Sequence, residues 1–295
     1  PTFIAQLVHF LTGLPFSFTA HARDLYQIPP AVLIERIRAA KLMVTCCEAN
    51  VAYLHTVVPK TLWPHMHLIH HGVNLSMFQP APHKERVAAV PLILAVGRLV
   101  DKKGFADLLQ ACALLKAADH VFRCLIYGEG PLQDELNTQI AALGLINHVS
   151  LPGACTQQEL APVMQQADIF ALTPYITDDG DRDGVPNVLV EAMACGVPVV
   201  STTVGGIPEL VTHEVNGLLA APHDVESITV HLATLLADGT LRQRLGAAAA
   251  ITAKEHFNLQ TAAHRLTTLF GGGDQHHHQQ ALNHESFTTT HPTAK

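Results

Sequence analysis

The sequence predicts an α/β protein made of two Rossmann-like units with parallel sheets, the first unit incomplete. Three observations carry this. Short apolar, β-branched runs alternate with amphipathic helical stretches along most of the chain, the pattern of right-handed βαβ units. PLILAV and VPVV are unbroken apolar runs, as strands buried on both faces require. Hydrophobic residues make up 48% of the 295 positions and charged residues 15%, which suits packed cores and excludes global disorder.

In chain order, residues 3–12 read as the end of a helix and 14–22 as a strand entering a loop. Residues 31–40 form an amphipathic helix with Leu33, Ile34 and Ile37 on one face. A strand at 41–46, a helix at 49–58 and a strand at 65–73 follow. Roughly three strands are visible, where a complete doubly wound half has about six. With Pro1 opening mid-pattern, residues 1–82 read as an N-terminally truncated unit. The polar segment 81–89 reads as a linker. The second unit, 83–253, runs strand (91–99), helix (104–118), strand (122–130), helix (131–144), strand (148–153), helix (156–167) and strand (168–175), with Thr156 as N-cap. After the 178–210 stretch come helices at 224–238 and 241–256. Residues 254–270 carry a last helix, and 271–295 read as a disordered polar tail in which His276–His278 are solvated.

The net charge of −7 gives no basic footprint for nucleic acid. Six cysteines without a CxxC spacing read as free thiols of a reducing compartment, here the cytoplasm. No run is long and apolar enough to span a bilayer.

Ligands of open α/β sheets bind beyond the carboxyl ends of the strands, which selects the loops 97–104, 128–131, 151–153, 175–184 and 202–206. Arg98 and Lys103 follow one strand end and suit a diphosphate. Lys102 reads as a surface cation. Asp183 and Glu191 flank a helix start at Pro186, about 12 Å apart if the whole interval were helical. Asp183 is either a helix cap or a ligand group. Glu191 lies in an otherwise apolar helix and needs a partner. The GGIPEL segment starts a second helix, so two anion-attracting N-termini meet one strand end. Asp178, Asp179 and Asp181 read as a solvated loop, not a metal site. His21 is evenly divided between a loop role and a cleft role, and His70–His71 read as structural.

The ordered set GRLVDKKG, GEGPL, DGDRDGVPNVLVEAMACGVPVVST, GGIPEL and NGLL, preceded by FSFTAHARD and IHHGVNLSMFQP, resembles the retaining GT-B glycosyltransferases of family 4, especially those of bacterial exopolysaccharide synthesis. The resemblance covers residues 15–270. It implies two Rossmann-like domains with a UDP- or GDP-sugar in the cleft, no metal or other cofactor, and a glycan or lipid-linked acceptor. It also implies peripheral attachment to the inner face of the cytoplasmic membrane. Arg98 and Lys103 should hold the diphosphate, Glu191 the ribose and Asp183 the donor sugar. Asp183 stands where the family's acid–x7–acid motif has Glu, one methylene longer. Gly97, Gly128, Gly153, Gly184, Val185, Pro186 and Asn187 should line the donor, with amides of 184–187 assisting. His21 should face the sugar or acceptor, and the last helix should return to the first domain. The missing early strands imply weak donor binding and little transfer. A non-catalytic nucleotide-sugar-binding fragment, an epimerase and a phosphorylase of the same architecture are the alternatives.

Overall fold

The computed structural model describes residues 2–81 and 90–271. Residues 82–89 of the expected linker 81–89, with its domain boundary, and residues 272–295 of the expected tail 271–295 lie outside the described residues; Gly271 ends the last helix.

The first unit opens with α1 (Thr2–Thr12), followed by β1 (Ser17–Ala20), α2 (Ala22–Tyr26), α3 (Pro30–Ala39), β2 (Leu42–Thr45), α4 (Glu48–Val57) and β3 (Met66–Leu68). The three strands form one parallel sheet in the order β1-β2-β3. Leu33 and Ile37, one turn apart on α3, are buried with Leu25, Met43 and Leu54, as the apolar stripe predicts. β3 is shorter than its apolar run. A Cβ on Gly72 would lie 2.3 Å from the Leu259 backbone, so this segment leaves the sheet to meet the end of the chain. Val73 makes an isolated parallel bridge with Asn258 there.

The second unit contains β4 (Leu92–Val96), α5 (Phe105–Ala117), β5 (Arg123–Tyr127), α6 (Gln133–Ala142), β6 (Val149–Gly153), α7 (Gln157–Gln166) and β7 (Ile169–Ala171). It continues with α8 (Asn187–Ala194), β8 (Val199–Thr202), α9 (Ile207–Leu210), β9 (Leu218–Ala220), α10 (Val225–Ala237) and α11 (Gly239–His256). Its six strands are parallel in the order β6-β5-β4-β7-β8-β9. The five residues of β4 and the four of β8 are all buried, which explains their unbroken apolar runs. Thr156 caps α7 in a reciprocal capping box with Glu159. α11 begins two residues before the pattern suggested, because Asp238 Oδ1 accepts the Leu241 N–H at 2.9 Å. β9 has no strand signal in the sequence. At three residues it carries no period of its own, and its pairing with β8 creates it.

The strand order reverses between β4 and β7, and that reversal opens a crevice at the carboxyl edge. α12 (Leu259–Gly271) crosses back to the first sheet, where Ala262, Leu266 and Leu269 pack on Leu42, Val44 and Ile69. No disulfide joins any of the six cysteines, five of which are buried. Among the described residues no helix is long and apolar enough to cross a membrane.

Candidate functional site

The loops after β1, β2 and β3 carry His21, Cys46 and His71. The loops after β4 and β7 carry Lys102, Lys103 and residues 182–187. These strand ends from both sheets line one cavity of about 260 Å³.

Lys102 and Lys103 belong to a 3-10 turn, Asp101–Lys103, that ends at Gly104 with φ 67°. Lys103 Nζ donates to Asp183 Oδ2 at 2.5 Å. Lys102 Nζ donates to Asp181 Oδ1 at 2.9 Å and lies 3.5 Å from Asp183 Oδ1. The switch point therefore joins the loops of its two flanking strands through a lysine–aspartate network. The Lys102 side chain is only 12% exposed, which corrects its reading as a surface cation. Asp181 is likewise a partner of Lys102 and not part of a solvated acidic loop. Asp183 does not cap α8. Pro186 stands at that N-cap and no side chain bonds there. Arg182 lies 4.1 Å from the centroid of the Tyr26 ring, a cation–π contact reaching α2.

α8 begins at Asn187, so the interval from Asp183 is half loop and the helical-rise separation from Glu191 does not apply. The amides of the first turn of α8 have no intrahelical partner, and Gly184, Val185, Pro186 and Asn187 line the cavity. The expected second N-terminus is closed. α9 has four residues, and the Gly206 N–H donates to the Gly184 carbonyl at 3.1 Å.

His21 and His71 face each other, Nε2 to Nε2, at 3.1 Å. His71 Nδ1 lies 3.3 Å from Asn187 Oδ1. An acceptor oxygen there requires the proton on Nδ1 of His71, so its Nε2 receives the N–H of His21. Burial, then the neighbouring His21, lowers the pKa of His71 and keeps its ring neutral. His71 is thus part of the cleft, which corrects its structural reading. His21 also starts α2 in a capping box with Asp24.

Glu191 is 4% exposed and lies outside the cavity lining. Gln157 Nε2 donates to its Oε1 at 3.0 Å, supplying the partner its apolar helix demands. Burial raises its pKa despite that bond. Arg98 is exposed at the end of β4, also outside the lining. Gly97 leaves room for the Lys103 stem, 3.4 Å from where a Cβ would be. Gly128, with φ 147°, brings its loop against the Gly97 carbonyl, and its N–H donates to Gly153. These glycines shape the edge on which Lys103 stands. Lys102, Arg182, His71 and Cys46, with the apolar Ala22, are the lining residues that sequence reasoning passed over. A cation beside Lys103, and a histidine at the end of a strand facing His21, were the available signals.

Among the described residues no group of three or more His, Cys, Asp or Glu side chains is placed to hold a metal ion. One wall of the cleft carries ammonium groups and the amides of the first turn of α8, and the other carries imidazoles; such donors suit an anion.

Comparison with known proteins agrees with this architecture. WcaL of Escherichia coli K12, whose name assigns it to colanic acid biosynthesis, is 40% identical over 163 residues, covering 55% of this chain and 40% of its own. The amylovoran biosynthesis glycosyltransferase AmsK of Erwinia amylovora is 42% identical over 143 residues, or 48% of this chain and 35% of its own. The chain thus spans well under half the length of these two curated relatives. Anabaena HepE, solved in complex with UDP and glucose, superposes with a TM-score of 0.79 at 23% identity, over 92% of this chain and 75% of HepE. That likeness fixes the fold as GT-B. The family model for glycosyl transferases group 1 matches residues 81–252, the unit that carries the lysines, Asp183 and α8 and more than half of the sequence; the chain belongs to the glycosyl transferases group 1 family.

Proposed function

We propose that the cleft binds a nucleotide-diphosphate sugar and that its hexose is transferred, with retained anomeric configuration, to a glycan or lipid-linked acceptor in exopolysaccharide biosynthesis. The supporting observation is the pairing of Lys103 with Asp183 at the switch point, 2.5 Å apart, opposite the His21–His71 pair. Lys103 and Arg98 take the diphosphate and stabilise it as it leaves, an electrostatic contribution that needs no metal. Lys102 holds Asp183 from its other oxygen, and Asp183 is turned to the donor sugar. The amides of Gly184, Val185 and Asn187 meet donor oxygens. Gln157 engages one oxygen of Glu191 and leaves the other for the ribose. His21, oriented by His71, faces the sugar and acceptor. The names of WcaL and AmsK support glycosyl transfer in exopolysaccharide biosynthesis, and the UDP and glucose in HepE support the donor class. Attachment at the inner face of the cytoplasmic membrane would bring a lipid-linked acceptor to the cleft.

Calorimetry with UDP and GDP tests this. One of the two is expected to bind, with the same affinity in EDTA. Lys103→Ala should weaken it at least tenfold, about 1.4 kcal/mol. Binding of neither nucleotide, or an unchanged affinity in the variant, would refute the reading.

A further inference from the structure

α4 begins without a cap of its own. Its N-cap residue, Cys47, offers the first turn only a thiol, a weak acceptor. The missing acceptor comes from 160 residues downstream, in the other unit. Glu209, on α9, accepts the Glu48 N–H through Oε2 at 2.7 Å and the Ala49 N–H through Oε1 at 2.8 Å. His70 Nε2 lies 3.4 Å from the same Oε2, and the Glu209 side chain is only 16% exposed. A carboxylate receiving two amides at a helix N-terminus is a strong, charge-assisted contact. Here both oxygens are committed to the first unit, while their backbone belongs to the second.

The position of this contact gives it a consequence for the cleft. Glu48 and Ala49 directly follow Cys46 and Cys47. Cys46 lines the cavity, and both thiols lie against the loop that opens α8. A Cβ on Gly184 would lie 3.4 Å from Cys46 Sγ and 3.5 Å from Cys47 Sγ. One on Gly206 would come within 2.8 Å of Cys47 Cβ. Glu209 therefore holds the β2–α4 loop against the 184–187 loop at the floor of the cleft. The contacts at its rim are more open: Gln27 Nε2 donates to Asp179 at 3.0 Å on exposed side chains.

We infer that Glu209 is a positioning residue that clamps the two units across the cleft, setting the His21–His71 wall against the lysine wall. The inference deepens the proposed glycosyl transfer and rests on it for its catalytic consequence. The groups assigned to the nucleotide all lie in the second unit, so the clamp governs the approach of the opposite wall and not nucleotide affinity. Misplacement of a reacting wall by about 1 Å costs on the order of a hundredfold in rate.

The test is alkylation of the folded protein by iodoacetamide, mapped by mass spectrometry, beside calorimetry with UDP and GDP. In Glu209→Ala, Cys46 and Cys47 should react at least tenfold faster than in the wild type. Cys112 and Cys124, buried in the second unit, should keep their rates, and nucleotide affinity should stay within threefold. Turnover with donor sugar should fall at least tenfold. Glu209→Gln retains one carbonyl acceptor; it should give an intermediate rise in Cys46 and Cys47 reactivity, and it carries the test if the Ala variant fails to fold. Unchanged Cys46 and Cys47 rates, or a parallel rise at Cys112 and Cys124, would overturn the clamp. Loss of nucleotide binding in step with turnover would overturn it too. Absence of nucleotide binding in the wild type would instead refute the proposed function, and the alkylation pattern would still decide the clamp.

Discussion

Glu191 is the acid of α8, buried among Leu189, Val190 and Met193 and bonded to Gln157. Its burial raises its pKa, so the native state holds that proton more tightly than the unfolded chain. Stability then falls as pH rises from the ordinary Glu value through the native one, and the cost of the buried charge is complete above it. Glu191→Gln removes the charge and keeps an acceptor for Gln157. Its Tm should exceed the wild type's at neutral pH by roughly 2–4 °C, the shift that about 1 kcal/mol gives in a domain of this size. The gain should vanish at acidic pH, below the ordinary Glu value, while affinity for UDP or GDP falls because the ribose loses its carboxylate. Thermal melts across that pH range, with calorimetry, measure both; a lower Tm at pH 7 would show that the charge is compensated. The demand for a partner at Glu191 was legible because one acid interrupts an apolar helix. Lys103 and Asp183 were legible as polar groups at strand ends. Lys102 was not, because its direction depends on a 3-10 turn, where adjacent side chains diverge by a third of a turn, and on Asp181, a partner 79 residues away. His71 was hidden for a similar reason: it follows the point where β3 leaves its sheet. Glu209 stands in the GGIPEL segment, but its contact across the units leaves no trace in sequence, since its partners are the backbone amides of another unit.

The elements that place the site depend on short backbone devices. Gly104 both closes the 3-10 turn of the lysines and precedes α5, with φ 67°, and a Cβ there would lie 1.8 Å from the Thr173 carbonyl oxygen. Alanine at this position meets a left-handed backbone and a fixed backbone atom together. Gly104→Ala should destabilise the protein by about 2 kcal/mol or more and weaken nucleotide binding by moving Lys103. Urea unfolding checks the first effect, and a change below about 0.5 kcal/mol would mean that the β7 end yields easily. Helices with side-chain signals were legible from sequence; Thr156 and Glu159 mark the start of α7 by type and spacing alone. Elements made by their neighbours were not. β9 exists because β8 offers an edge, and β3 ends where Gly72 meets the backbone of Leu259.

At the scale of the whole molecule, alternation of strands and helices announced a parallel sheet; of the loops the carboxyl-edge rule selects, 97–104 and 175–184 line the cavity, while 128–131, 151–153 and 202–206 do not. The order β6-β5-β4-β7-β8-β9 was not readable, because pairing partners are set by packing between distant segments. That order makes the loops after β4 and β7 neighbours and so brings Lys103 to Asp183. The first unit has three strands and a small core of its own, and α12 covers one face of its sheet. Residues 262, 266 and 269 of α12 follow a helical stripe, and Leu266 packs with Leu42, Val44 and Ile69. Leu266→Asp places a charge in that contact, where it has no partner among the residues it packs on. The variant should expose β2 and β3 to hydrogen exchange at least tenfold faster, an opening cheaper by about 1.4 kcal/mol. Strands β4, β7 and β8 should keep their protection, because their core is built within the second unit. Nucleotide affinity should also be retained, since Lys103, residues 184–187 and Glu191 stand on that unit. An equal rise in exchange through both sheets would mean that the units unfold as one, with the α12 contact and the Glu209 contact acting together across the cleft.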